Sequence, residues 1–299
     1  MNLQKEILDN LNKSSYERLT KPNNIKSIFE IFKVFILITT VYFLLTINNI
    51  YCNIFSFIIV AGIQHRIYMI QHECTHYNLF NNKSLNSIIG SIFSYLIFFN
   101  WNYRFTHLKH HKSLGTIEDP DSHNYIKYPA NRIYFLKDII SHLIGISAIK
   151  QFFHQSVQND KTLKKNNTKE IIFLIGVQFI IFFIFNSINL LYYILFWIMP
   201  LLTLTKTLAH LRNIAEHIQL PDSFGSYSRY RTIYPNFLES FFLSPLNFNF
   251  HAEHHLFPKV CFHELPNLHA HIISNPNASK YIDVQIGYTS FLMKCIIFK

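Results

Sequence analysis

Three histidine clusters carry the chemistry of this chain: His72-Glu-Cys-Thr-His76, His107-Leu-Lys-His110-His111 and His251-Ala-Glu-His254-His255. Each sets imidazoles three or four residues apart. On a helix that spacing is one face, with Cβ atoms about 5–6 Å apart. Neutral imidazole is the commonest metal ligand among side chains. One such pair arises easily by chance, but three clusters, two of the form H-x-x-H-H, point to a shared metal site. Asn213-Ile-Ala-Glu-His217 repeats the i, i+4 spacing and adds one more imidazole. The candidate ligands are therefore His72, His76, His107, His110, His111, His217, His251, His254 and His255. They exceed what one tetrahedral zinc takes and suit two ions with four or five nitrogens each. Imidazole suits iron, zinc, copper or nickel, so the spacing alone leaves the metal open.

Carboxylates lie inside or beside the clusters. Metal-bound histidines usually donate their second nitrogen to a carboxylate or carbonyl. Glu73, Glu216 and Glu253 are placed for that role, or for a solvated helix face. Asp119-Pro120-Asp121 follows the second cluster and is placed to cap the site. The other histidines (His65, His123, His142, His154, His210, His263, His269 and His271) read individually as surface or packing residues. His210, one helical repeat before His217, is the one best placed to touch the site. Cys52, Cys74, Cys261 and Cys295 are scattered without a C-x-x-C. Neither a disulfide framework nor an iron–sulfur pattern follows, and all four are expected to be reduced.

The elements that must position these residues are membrane helices. Of 299 residues, 49% are hydrophobic, with 30 Phe and only 7 Gly. Ile31 to Ile50 and Ile54 to Ile63 are nearly all apolar, as are Ile171 to Phe185 and Leu190 to Leu204. A crossing takes about 20 mostly apolar residues. Each block therefore holds two crossings, turning near Asn48, Asn49 and Asn53, and near Asn186, Ser187 and Asn189. The fold class predicted is an all-α membrane protein. It has four transmembrane helices in two hairpins and a cytoplasmic helical cap that carries a dinuclear metal site. Segments 1–30, 31–70, 71–169, 170–205 and 206–299 then form one integral-membrane domain: arm, first hairpin, first two clusters, second hairpin, and the region of His217 and the third cluster.

The turns carry no Lys or Arg, whereas both ends and the middle segment are basic. Positive charge marks the cytoplasmic side, so both termini and the site are expected there. The net charge of +10 then reflects basic flanks against anionic headgroups. It argues for no nucleic-acid partner, since no basic stripe sits on a soluble fold. Met1 to Asn24 lacks the apolar core and cleavage site of a secretory signal. Ser87 to Phe99 is too short to span comfortably, and a crossing there would put His72 and His107 on opposite sides. It reads as a helix lying in the interface or dipping into the bilayer. Tyr134 to Lys150 reads the same way. The stretch beyond Pro221 reads as irregular until Asn247, and the tail after Pro258 as amphipathic packing under the site.

These motifs carry a resemblance. From about Gln71 to His269 the chain resembles the membrane fatty acid desaturases: H-E-C-T-H, then R-F-T-H-L-K-H-H followed by E-D-P-D, then N-I-A-E-H, then N-F-H-A-E-H-H-L-F-P. The resemblance implies a non-haem diiron centre (two Fe) on four transmembrane helices, with the nine histidines above as ligands. It also implies a water-mediated role for Asn213. Three residues inside the first box look more like acyl-lipid than acyl-CoA desaturases. The third box begins with His251 rather than the glutamine of front-end desaturases. The H-P-G-G haem motif of the family's fused cytochrome b5 does not occur in these residues.

The function expected is an O2-dependent desaturase acting on a long acyl chain held by a lipid or another acyl carrier. The alternative is a hydroxylase or ketolase on the same diiron site, acting on a lipid, alkyl or carotenoid substrate. A metal transporter is disfavoured, because transporter sites sit near the bilayer midplane and these clusters follow helix ends. No haem motif, dinucleotide turn or iron–sulfur spacing is present. An external donor of ferredoxin or cytochrome b5 type, with its reductase, is therefore expected to dock on Arg104, Lys109, Lys112, Arg229 and Arg231.

Overall fold

The computed structural model describes residues 3–99, 101–150, 167–219 and 231–297. Of the polar loop that the Lys- and Asn-rich sequence from Asn159 to Lys169 predicts, 159–166 lie outside them, as do His154 and 220–230 with Arg229, whereas 167–169 already belong to a helix. Four helices are long and apolar enough to cross a membrane. The first two are Asn24–Thr46 and Ile50–Thr75, the latter running unbroken through His72. The other two are Asn167–Asn186 and Ile194–His217. Their outward residues stay bare: Phe43 is 62% exposed and Phe173 64%. A belt of this size is what lipid, not water, covers.

Asparagine accounts for many of the starts. Asn23, Asn49, Asn82 and Asn131 each cap a helix, their side-chain oxygens accepting backbone N–H groups of the first turn. Each such cap stabilises by about 1 kcal/mol. Asn48 takes φ +52° between the first two spanning helices. That left-handed conformation is one asparagine tolerates better than most residues.

Helix Lys83–Leu96 packs against the second and third spanning helices and, at 14 residues, is shorter than the roughly 20 that a crossing takes. Its last carbonyls would be orphaned in hydrocarbon. Gln178 of the third spanning helix donates to the carbonyls of Tyr95 and Leu96, at 2.6 and 3.1 Å. Trp197 of the fourth donates to Leu96 at 3.1 Å. Gly90 admits the Trp101 ring where a Cβ would sit 2.1 Å from it. Helix Arg132–Leu143 exposes Ile133, Leu136, Ile140 and Leu143 along one stripe, as an interfacial helix does.

The fourth spanning helix contains two wide turns, Ile194–Ile198 and Leu201–Thr205. Buried Gln64 of the second helix donates to the Trp197 carbonyl (2.7 Å) and accepts from Thr205 (2.7 Å). Glu30 forms a further polar tie, accepting from Lys33 at 2.6 Å and from Arg66.

Two short parallel strand pairs depart from the all-α expectation. Ala130–Asn131 pairs with Ile296–Ile297, and Arg231–Tyr234 with Asp283–Ile286. Strands this short, joined across such distances in sequence, leave no local periodic signal. The stretch predicted as irregular also holds helix Phe237–Phe242, which opens with an Asn236–Glu239 capping box. The N-terminal helices Leu3–Asn10 and Lys13–Leu19 pack into a core with Ala252, Leu256, Leu265, Leu268 and Ile272. The arm therefore braces the third histidine cluster from behind.

Candidate metal centre

Helical geometry sorts the nine histidines. Residues four apart differ by about 40° around a helix, and adjacent residues by about 100°. On helix Tyr103–Ser113, His107 and His111 therefore share a face and His110 turns away. On helix His251–Leu256, His251 and His255 share a face and His254 turns away. The two helices are arranged reciprocally. His107 and His111 meet His72 and His76 at the end of the second spanning helix, and His254 joins them. His251 and His255 meet His217 at the end of the fourth, and His110 joins them. Five imidazoles thus face one point and four another. His111 stacks on His255 between the two groups, centroids 4.2 Å apart.

The nitrogens converge as ligands do. Nε2 of His107 lies 2.9 Å from Nε2 of both His76 and His111, and that of His254 lies 3.1 Å from His111. In the second group, Nε2 of His251 and His217 are 3.1 Å apart. Each sp² nitrogen has one in-plane site, a proton or a lone pair, so hydrogen bonds cannot satisfy such a chain. Neighbouring ligands at right angles on a metal with bonds of about 2.1 Å would sit about 3.0 Å apart. Both ring nitrogens of His72, 2% exposed, lack a hydrogen-bond partner among the described residues. The residues therefore fit two metal ions.

Burial keeps the rings in the ligand form. It lowers the pKa of His76 to about 3. Burial, then the neighbouring imidazoles, hold His107, His111, His251, His254 and His255 well below the usual histidine value.

The carboxylates fall into different roles. Asp119 Oδ1 accepts from His110 Nδ1 at 2.8 Å and from the Asp121 N–H at 2.9 Å, and Tyr125 donates to its other oxygen. Burial alone would raise its pKa, but these bonds hold it below the usual carboxylate value. Glu216 lies 3.5 Å from His251 Nδ1 and accepts from Arg212 (2.9 Å) and Tyr288 (3.1 Å). Glu73 lies 3.7 Å from His72 Nδ1. Glu253, read as a possible partner of a box histidine, instead binds His269 Nδ1 (2.6 Å) and the Thr232 hydroxyl (2.5 Å). It braces the cap because its side chain leaves the helix away from His254 and His255.

Other expectations resolve as well. The Asn213 Oδ1 is buried without a partner among the described residues, one turn before His217. His210 does not join the nine; it pairs with Asp138 at 2.8 Å. Arg231, expected on the carrier-facing surface, is fully buried. It binds Asp283 at 2.6 Å and the carbonyls of Ala215 and Ile218 at 2.6 and 3.0 Å. Lys109 and Lys112 are exposed, whereas Arg104 is half-buried and donates to the Tyr77 hydroxyl at 2.5 Å. Sequence reasoning missed Arg212 and Tyr288, which hold Glu216; only the i, i+4 spacing of Arg212 and Glu216 hinted at the pair.

The profile of the fatty acid desaturase family matches residues 49–282, which include all nine histidines. The chain belongs to this family. A similar protein is the dihydrorhizobitoxine desaturase of Bradyrhizobium elkanii, 28% identical over 225 residues. The aligned part is 69% of this chain and 63% of that enzyme, so the chain matches less than two thirds of its relative. Desaturases of this family are generally diiron enzymes, and the histidines brought together in this chain are able to hold metal.

Proposed function

We propose that this desaturase uses O2 and two iron ions to introduce a double bond into a long acyl chain carried by a lipid or another acyl carrier. The observation that carries the reading is the convergence of nine imidazoles, seven buried and two half-buried, into a group of five and a group of four linked through His217 and His255. We assign His72, His76, His107, His111 and His254 to one ion. His110, His217, His251 and His255 go to the other, with Asn213 accepting from a water on it. When bound, the iron pair supplies the site where O2, two outside electrons and two protons, with two hydrogens from adjacent methylenes, become two waters.

The chain's own residues orient and exclude. Asp119 fixes the His110 Nδ1 proton, which leaves Nε2 for a metal. Phe248, edge-on to His72 with centroids 4.4 Å apart, keeps water from that group. The apolar bundle supports a substrate that dissolves among its helices, and the Lys and Arg distribution supports a cytoplasmic site in a two-hairpin topology. An outside ferredoxin or cytochrome b5 with its reductase would supply electrons, landing near Lys109 and Lys112.

The test is expression in a host of defined lipids, with mass spectrometry of fatty acids and double-bond position. A new unsaturated acyl chain is expected; a hydroxylated or oxo product would move the reading to the alternative outcome. The relative's name favours desaturation and brings a second substrate, dihydrorhizobitoxine, for parallel assay. Purified with iron, the protein should hold close to two per chain; a reproducible value near one overturns the dinuclear assignment. NAD(P)H and O2 alone should give no turnover until carrier and reductase are added.

A further inference from the structure

Asp138, His142 and His210 form a second cluster of metal-ligating side chains, outside the nine histidines. Asp138 and His142 lie on the protein-facing side of the interfacial helix Arg132–Leu143. His210 lies on the fourth spanning helix, seven residues before His217, roughly 10 Å along its axis. Asp138 Oδ2 is 2.8 Å from His210 Nε2, and Oδ1 is 3.7 Å from His142 Nδ1. Tyr128 donates to Oδ2 at 2.5 Å. One ligand atom of each residue lies within 4.8 Å of the others. An ion would replace the proton that His210 Nε2 shares with Asp138, the oxygen and nitrogen ligands then sitting about 3.4 Å apart at tetrahedral zinc. His210 is 8% exposed, and its Nδ1 has no hydrogen-bond partner among the described residues.

We propose that Asp138, His142 and His210 bind one divalent transition-metal cation of zinc type, which staples the interfacial helix to the helix carrying Asn213 and His217. The ligand states suit it. Burial opposes ionisation of Asp138, but hydrogen bonds from His210 and Tyr128 hold its pKa at about 2, so it is an anion. Burial, then His210, lowers that of His142 to about 4, so its ring is neutral. The two rings stack nearly parallel, 4.0 Å apart at 11°, and parallel rings cannot both aim at one ion. His142 is the ring that must turn. Among the described residues the one hydrogen-bond partner of its Nδ1 is the Asp138 carbonyl at 2.9 Å, and its side chain is 13% exposed. The fourth position goes to water or Tyr128.

The experiment titrates Zn²⁺, and Co²⁺ as a coloured probe, into full-length iron-loaded protein in detergent. Zinc and iron are counted together and Tm is recorded. One zinc per chain is expected above unchanged iron, with a rise in Tm and the visible bands of four-coordinate Co²⁺. His142→Phe keeps the ring stack but removes the nitrogens; Asp138→Asn keeps the size but removes the charge. Each should keep its iron and weaken zinc binding at least tenfold. Zinc that only displaces iron, no zinc uptake, or uptake unchanged in both variants would overturn the proposal.

Discussion

The two histidine groups are built on different surroundings. The four-nitrogen group is wired through Asp119, which accepts from His110 at 2.8 Å, while Glu216, itself held by Arg212 and Tyr288, lies 3.5 Å from His251 without a hydrogen bond to it. The five-nitrogen group is walled. Phe248 stands against His72 and His254, with centroids 4.4 and 5.1 Å away, and Tyr103 lies along His107 at 6.4 Å. Its nearest carboxylate among the described residues, Glu73, stays 3.7 Å from His72. Hydrogen-bonded carboxylates fix tautomer and raise ligand basicity, whereas packing fixes only position. The group with fewer imidazoles therefore leans on its second layer, and the group with more leans on redundancy.

Loss of a ligand should show this contrast most strongly. His217→Ala and His255→Ala remove one of four nitrogens; each should abolish turnover and release one iron. His111→Ala should also abolish turnover, because that ring lies between both groups. His76→Ala leaves four nitrogens and should retain more metal than His217→Ala, measured as iron per chain in protein that still inserts into membranes. Equal iron loss in His76→Ala and His217→Ala would remove the redundancy argument.

The second layer comes next. Asp119→Asn should lower activity roughly 10–100-fold, the usual cost of such a partner. Asn213→Ala should cost less, near tenfold, since it acts through a water. Glu73→Gln, on the walled group, should cost less still. If Glu73→Gln matched Asp119→Asn in kcat and iron content, the wired and walled distinction would fail.

Much of this was legible in the sequence, for local reasons. Histidine spacing needs only helical period, and the four spans need only apolar length, so both were readable. The helix Lys83–Leu96 was legible as the short apolar run Ser87 to Phe99, displaced by a few residues. What was not legible depends on partners distant in the chain. The five-and-four division needs the relative rotation of two box helices. Arg231 looked like a surface cation because its counter-charge, Asp283, lies 52 residues on. Glu253 sits inside a histidine motif yet serves His269 and Thr232. The four-residue strand that carries Arg231 has no alternation, because three of its residues are buried.

Acid should act on both groups through the same sign. Burial lowers the folded pKa of His76 to about 3, against an ordinary value near 6.5. Stability from such rings is complete above about pH 6.5 and is lost as pH falls toward 3, because the unfolded chain takes up protons that the folded site refuses. Metal loss follows the same direction, since ligands must be deprotonated. Iron retention measured between pH 7.5 and 5 should fall several-fold and recover little on back-titration without added iron. A flat profile would mean that the rings are not held neutral by the fold.

The smallest effect should come from the wall itself. Phe248→Leu keeps an apolar side chain against His72 and His254 and breaks no hydrogen bond to either ring. Core truncations of this size cost about 1–3 kcal/mol of stability, which should appear as a lower Tm. Because His72 has three further nitrogens of its own group from other helices around it, kcat should fall by no more than a few-fold. The informative comparison is with Tyr288→Phe, which removes a single hydroxyl from the Glu216 network while keeping the ring. That variant should hold its Tm more nearly and lose more activity. The reverse order, with Phe248→Leu the more damaging to turnover and Tyr288→Phe silent, would show that packing, not hydrogen bonding, sets the geometry of the pair.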